Sequence, residues 1–219
     1  MKQTTIGFAL TGSFCTFERA LKQMEALVKR GYDLLPVLSF NAGQLDTRFM
    51  TAHHLRERIR EITGKDPIDS LVCAEPIGPK RLCDVYLIAP ATGNSLAKLA
   101  GGQFDTPALL GAKSHLRNDR PLVLAVSTND GLGAAAQNIG RLLSWRNVYF
   151  VPFGQDDPVK KPRSLVADFD RIPRTIAAAL SGVQLQPMLY GSHAAEEKDF
   201  AKECDQMRNA VTNLQQSKN

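Results

Sequence analysis

Between Asp84 and Gly102 the chain runs Val-Tyr-Leu-Ile-Ala, then Pro90-Ala-Thr-Gly-Asn-Ser95, then Leu-Ala-Lys-Leu-Ala. The first block is an unbroken apolar stretch of strand length, the second a tight polar turn, and the third the opening of a helix. A strand apolar on both faces must be covered on both, which is the condition of a parallel sheet flanked by helices. The N-terminus repeats the design: Ile6-Gly-Phe-Ala-Leu10 leads into Thr11-Gly-Ser13 and then a long amphipathic segment.

The alternation continues along the chain. Residues 4–11 read as a first strand, and 15–30 as a helix carrying Phe17, Leu21, Met24, Leu27 and Val28 at helical spacing, closed by Gly31. Residues 32–38 read as a second strand, 47–63 as a surface helix stopped by Gly64, and Ile68 to Val72 as a short apolar run. Strands are expected at 85–89, 122–126 and 148–151. Helices are expected at 96–99, 107–116, 134–143 and 169–180, the last tolerating Pro173 only near its first turn. Residues 154–164, aperiodic and with two prolines, read as an exposed loop. The expected class is α/β, with a mostly parallel sheet covered on both faces. One domain spans residues 1–190, and 191–219 form a C-terminal helical extension in which Phe200, Met207 and Val211 leave only a thin apolar stripe.

Three polar turns follow strands: Thr11-Gly-Ser13, Pro90 to Ser95, and Ser127-Thr-Asn-Asp-Gly131. In a parallel sheet all three open on one edge, where ligands of such folds collect. Thr11, Gly12 and Ser13 place hydroxyls and a glycine at a helix start, a suitable seat for a phosphate and equally an ordinary strand-to-helix cap. Thr92, Gly93, Asn94 and Ser95 offer an amide and two hydroxyls to the polar edges of a planar ligand, although Ser95 also suits an N-cap. Asn129 and Asp130 are substrate-contact candidates or members of an Asx turn. Glycine spacing after Gly7 and Gly12 is not that of a dinucleotide fingerprint, and no Gly-Lys-Ser/Thr phosphate loop is present, so a mononucleotide stays open.

No catalytic residue can be assigned. Adjacent His53 and His54 lie on a surface-type helix from which one of them can approach a ligand, Glu75 reads as a solvated loop carboxylate or as one that reaches the mouth of the site, and Cys15 and Cys83 read as small buried hydrophobes. Four cysteines and four histidines without ligand-like clustering give no reason to expect a metal. The net charge of +5 is spread along the chain without an aromatic-interleaved basic block, so it favours small anionic ligands over nucleic acid. The first residues enter a strand directly, with neither a signal peptide nor a membrane span, and a cytoplasmic location is the default expectation.

With these turns in view, the chain resembles the flavoprotein family that includes flavin-dependent cysteine decarboxylases and phosphopantothenoylcysteine decarboxylase. Pro90-Ala-Thr-Gly-Asn-Ser95 is similar to that family's Pro-Ala-Ser-Ala-Asn-Thr motif, and the resemblance covers residues 4–153. It implies a Rossmann-like, flavodoxin-like three-layer sandwich and flavin mononucleotide (FMN) as cofactor. Thr11, Gly12 and Ser13 would lie near its phosphate, Ser39 near the cofactor after the second strand, and Thr92, Gly93, Asn94 and Ser95 at the ring-side pocket. Two positions depart from the pattern: Pro76 stands where the decarboxylases carry an active-site histidine, and Val126-Ser-Thr-Asn129 replaces their Pro-x-Met-Asn loop. Over nearly the whole chain, including the Thr-Asn-Asp-Gly loop, the sequence is similar to a branch from spore-forming bacteria that serves as the B subunit of a dipicolinate-forming oxidoreductase. That resemblance implies a dehydrogenase-like A subunit carrying NADP or NAD, a small dicarboxylate substrate, a homo-oligomer, and a place in the mother cell during sporulation. Two alternatives stay open, namely FMN-dependent decarboxylation of a cysteine-containing substrate and a non-catalytic structural or regulatory role.

Overall fold

The computed structural model describes residues 3–190, and the expected C-terminal extension lies outside them. Strand β1 (Thr5–Leu10) leads through a 3-10 turn at Phe14–Thr16 to α1 (Phe17–Lys29), then β2 (Asp33–Leu38), the short α2 (Phe40–Gln44), α3 (Ala52–Thr63) and α4 (Leu71–Ala74). Next come β3 (Val85–Ala91), α5 (Gly93–Ala100), α6 (Pro107–Leu116), β4 (Leu122–Thr128), α7 (Ala134–Leu143) and β5 (Val148–Phe150). Strands β6 (Phe153–Asp157) and β7 (Lys161–Ala167) and helix α8 (Ile172–Leu180) complete the described chain.

The parallel strands lie in the order β2-β1-β3-β4-β5, the flavodoxin-like arrangement, with its topological switch between β1 and β3. Helices α1 and α8 pack together against one face, and α5, α6 and α7 form the other layer. Right-handed crossovers require this division, because the chain moves one way from β1 to β2 and the opposite way afterwards. Every residue of β3 is buried, as expected of the central strand of a doubly covered sheet.

Tyr86 shows how tightly that strand is fitted. A Cβ on Gly7, its register partner on β1, would lie 2.5 Å from the Tyr86 ring, and one on Gly111 of α6 would lie 2.5 Å from the phenol oxygen. Both glycines therefore make room for one side chain, whose hydroxyl donates to the Ala108 carbonyl at 3.0 Å. Beside it, Cys83 and His115 form a buried polar pair with Sγ and Nδ1 3.4 Å apart. His115 Nε2 lies 3.1 Å from the Pro121 carbonyl, so it carries the ring proton and leaves Nδ1 to accept from the thiol. Burial pushes the Cys83 thiol up to about 12 and the His115 ring down to about 4, leaving both neutral.

Two expectations need correction, those for residues 154–164 and for Cys15. Residues 154–164 belong to an antiparallel hairpin, β6–β7, which pairs through Ser127↔Val166 and Thr128↔Leu165 with the carboxyl half of β4. The polar stretch Gln155-Asp-Asp157 to Lys161-Pro-Arg163 is largely exposed, so no apolar period announces these strands. The run 68–72 makes only one strand bridge, Val37↔Ile68, before Ser70 caps α4 by accepting from Cys73 N–H. Cys15 is exposed, because the 3-10 turn after β1 lifts it off the core, whereas Cys83 is buried as expected.

Candidate functional site

The three polar turns meet at the carboxyl ends of β1, β3 and β4. Thr11 is buried, and its hydroxyl donates to the Pro90 carbonyl at 2.7 Å while accepting from Thr92 N–H at 3.2 Å. One side chain thus ties the β1 turn to the β3 turn across the switch point. The hydroxyls of Ser13 and Ser127 are 2.8 Å apart and join the β1 turn to the β4 turn. Thr92 caps α5 by accepting from Ser95 N–H at 3.2 Å, with the two hydroxyls 2.9 Å apart. Gly93 closes the third side: a Cβ there would lie 2.6 Å from Thr128 Oγ1 and 2.9 Å from an Asp130 carboxylate oxygen. Thr128 in turn donates its hydroxyl to Asp130.

Above this frame lies a crevice of two lobes, of about 650 and 400 Å3, which share Gly12, Thr92 and Asn94. The smaller lobe takes in Ser39, Phe40, Asn41 and Ser95, with Lys98, Asp105, Thr106 and Leu109 on its far side. Ser39 caps α2, its hydroxyl accepting from Ala42 N–H at 3.3 Å. The Lys98 ammonium, 2.7 Å from Asp105, holds that carboxyl below its usual range. The larger lobe is floored by Ser13, Gly93 and the residues 127–130, flanked by Phe14 and Phe49, and walled by Asp156, Lys161, Ser164, Leu165 and Val166 of the hairpin. Lys161 pairs with Asp156 at 2.7 Å, which raises the lysine pKa. Both ion pairs have solvent-accessible members and add little to stability.

Of the residues singled out in sequence, Gly12, Ser13, Thr92, Gly93, Asn94, Asn129 and Asp130 line the larger lobe, and Ser39 and Ser95 the smaller. Thr11 lies behind the wall and lines neither. His53 and His54 are exposed on α3 beside Glu57, at 3.4 and 3.9 Å. Glu75 and Pro76 sit in a 3-10 turn packed on α6. Among the described residues, no histidine lines either lobe. Sequence reasoning missed Arg19, Phe49 and the hairpin wall, which carry no local signal because tertiary folding alone brings them to the crevice. Phe14 and Cys15 could have been found by extending the first turn by one helical step.

A family model described as Flavoprotein matches residues 1–171. The chain belongs to the flavoprotein family. Within it, the chain is 48% identical over 197 residues to the B subunit of dipicolinate synthase of Bacillus subtilis (strain 168), covering 90% of this chain and 98% of that one. The crystal structure of the dipicolinate synthase B subunit from Bacillus halodurans C is 47% identical and superposes with a TM-score of 0.79, covering 85% of this chain and 96% of the other. The FMN-dependent cysteine decarboxylase SpaF, at 19% identity, has a TM-score of 0.58 over 82% of this chain and 96% of its own. That likeness marks the shared flavoprotein sandwich. No helix among the described residues is long and apolar enough to cross a membrane.

Proposed function

We propose that this chain is the B subunit of a dipicolinate synthase, acting with a dehydrogenase-like A subunit to oxidise a dihydrodipicolinate-type dicarboxylate to pyridine-2,6-dicarboxylate. The observation that carries the reading is the 48% identity to such a protein over nine-tenths of the chain, in a molecule whose three strand-end turns are bonded into one polar crevice. The reaction removes two electrons and two protons from the dihydropyridine ring. A hydride passes to NADP or NAD on the A subunit and a proton to solvent. This chain lacks the glycine fingerprint for a nicotinamide dinucleotide, so its part is to hold and orient.

The residues present also fit FMN. Gly12 lies at the junction of the lobes, and a Cβ there would meet nothing closer than 3.4 Å, so internal packing does not demand a glycine. Its missing side chain leaves the shared floor open. In this proposal Gly12, Ser13, Ser39 and Ser95 hold the flavin's polar groups, Thr92, Gly93 and Asn94 border its ring, and Asn129 and Asp130 face the substrate. Thr11 keeps the two turns in register. A bound flavin supplies reversible two-electron exchange. The chain would work as a homo-oligomer in the mother-cell cytoplasm. The decarboxylase reading gains no support from a crevice whose described lining contains no histidine.

The test is product formation, followed by dipicolinate absorbance, for the A subunit alone, with this chain, and with its Asn129→Ala variant. Turnover that requires this chain and weakens with the variant is expected. Full turnover by the A subunit alone would instead make this chain a structural or regulatory companion. An absorbance spectrum after incubation with FMN tests the cofactor separately.

A further inference from the structure

We infer that Arg19 is the residue that selects a dicarboxylate, by binding one substrate carboxylate in the larger lobe. This rests on the proposed dipicolinate-forming role and names the group within that site that recognises the substrate's charge.

Four charged side chains line the larger lobe: Arg19, Lys161, Asp130 and Asp156. Three are already committed. Lys161 and Asp156 neutralise each other at 2.7 Å, and Asp130 accepts from the Thr128 hydroxyl inside the frame of turns. Of the four, Arg19 alone forms neither an ion pair nor such a bond among the described residues. It stands in the first turn of α1, directly after the β1 turn, and its guanidinium carbon lies 5.0 Å from the centroid of the Phe169 ring. The buried Phe169 is fixed by its place in the core, so stacking on its face restricts the guanidinium without using its hydrogen-bond donors. Arg19 lines the cavity, and its planar fork of donors, without a carboxylate partner among the described residues, is matched to an incoming planar carboxylate. The Phe14 and Phe49 side chains flanking the same lobe suit the substrate's ring. An anion there could also be the phosphate of FMN, and the experiment separates the two.

The full chain, with its A subunit, is compared as wild type, Arg19→Gln and Arg19→Lys. Arg19→Gln is expected to raise KM for the dihydro-dicarboxylate ~10- to 100-fold with kcat changed less than about threefold, the pattern of lost binding to ground and transition state alike. Arg19→Lys, which keeps the charge but not the fork, falls between. Calorimetric titration of the full chain with dipicolinate and with the monocarboxylate picolinate supplies a readout independent of turnover. Wild type prefers the dicarboxylate, and Arg19→Gln narrows that preference. An unchanged KM and an unchanged preference overturn the inference. So does loss of FMN retention by Arg19→Gln with dicarboxylate binding intact, which assigns the arginine to the cofactor phosphate. If the wild-type pair produces no dipicolinate, the proposed function fails, and the titration still decides whether Arg19 selects dicarboxylates.

Discussion

Thr11→Val tests whether the bridge across the switch point holds the crevice together. Valine keeps the shape of threonine and removes the hydroxyl, so the Pro90 carbonyl loses a donor at 2.7 Å and Thr92 N–H an acceptor at 3.2 Å. Thr11 is 1% exposed, so water cannot take the place of its hydroxyl without opening the packing, although Thr92 on the crevice side is only half-buried. A buried group left unpaired costs ~1–3 kcal/mol, and with the half-buried Thr92 N–H at the low end of that range the loss is roughly 2–4 kcal/mol for the two. In a chain of this size that lowers Tm by about 5–15 °C. Urea unfolding of the wild type, Thr11→Val and Thr11→Ser measures it. Serine retains the hydroxyl and is expected to lose ~1 kcal/mol, the value of a methyl group. A valine variant within ~0.5 kcal/mol of wild type would refute the reasoning, because the bridge would then have no energetic weight.

Gly93→Ala forces a Cβ to within 2.6 Å of Thr128 Oγ1, so the β4 turn must shift. Overpacking of this kind costs ~1–3 kcal/mol, and FMN titration should show weakened binding alongside the loss of stability. Burial lowers His115 from 6.5 to about 4. The unfolded chain therefore takes up a proton below pH 6.5 that the folded chain refuses until about pH 4. Stability is full above that window and falls through it, by up to about 3 kcal/mol. Urea midpoints at pH 7.5 and 4.5 should show that slope in wild type and a flatter one in His115→Gln.

The parallel core was legible because a strand buried on both sides has to be apolar throughout, as Val85 to Ala89 and Leu122 to Val126 are. The convergence of the three turns followed from parallelism, since strands pointing one way end at one edge. The hairpin was not legible: Gln155, Asp156, Lys160 and Lys161 face solvent, and Pro162 speaks against a strand. The position of Cys15 depended on a single 3-10 turn, too short for a periodicity argument to detect. Arg19 lies within a helix whose pattern reads only as amphipathic, and nothing local distinguishes a cation facing a cavity from one facing water. Thr11 illustrates the same limit, since only the partner strand reveals that its hydroxyl is occupied.

One edge of β4 is shared, with β5 along its amino half and β7 along its carboxyl half. The crevice consequently has walls of unequal tolerance. The side formed by the turns after β1 and β3 descends directly from the core, where a change of residue risks the whole fold. The facing side is an appended ribbon whose exposed positions hold no layer together. Substrate preference can therefore drift on the ribbon while the opposite wall stays fixed, which lets one scaffold acquire new chemistry without refounding its interior.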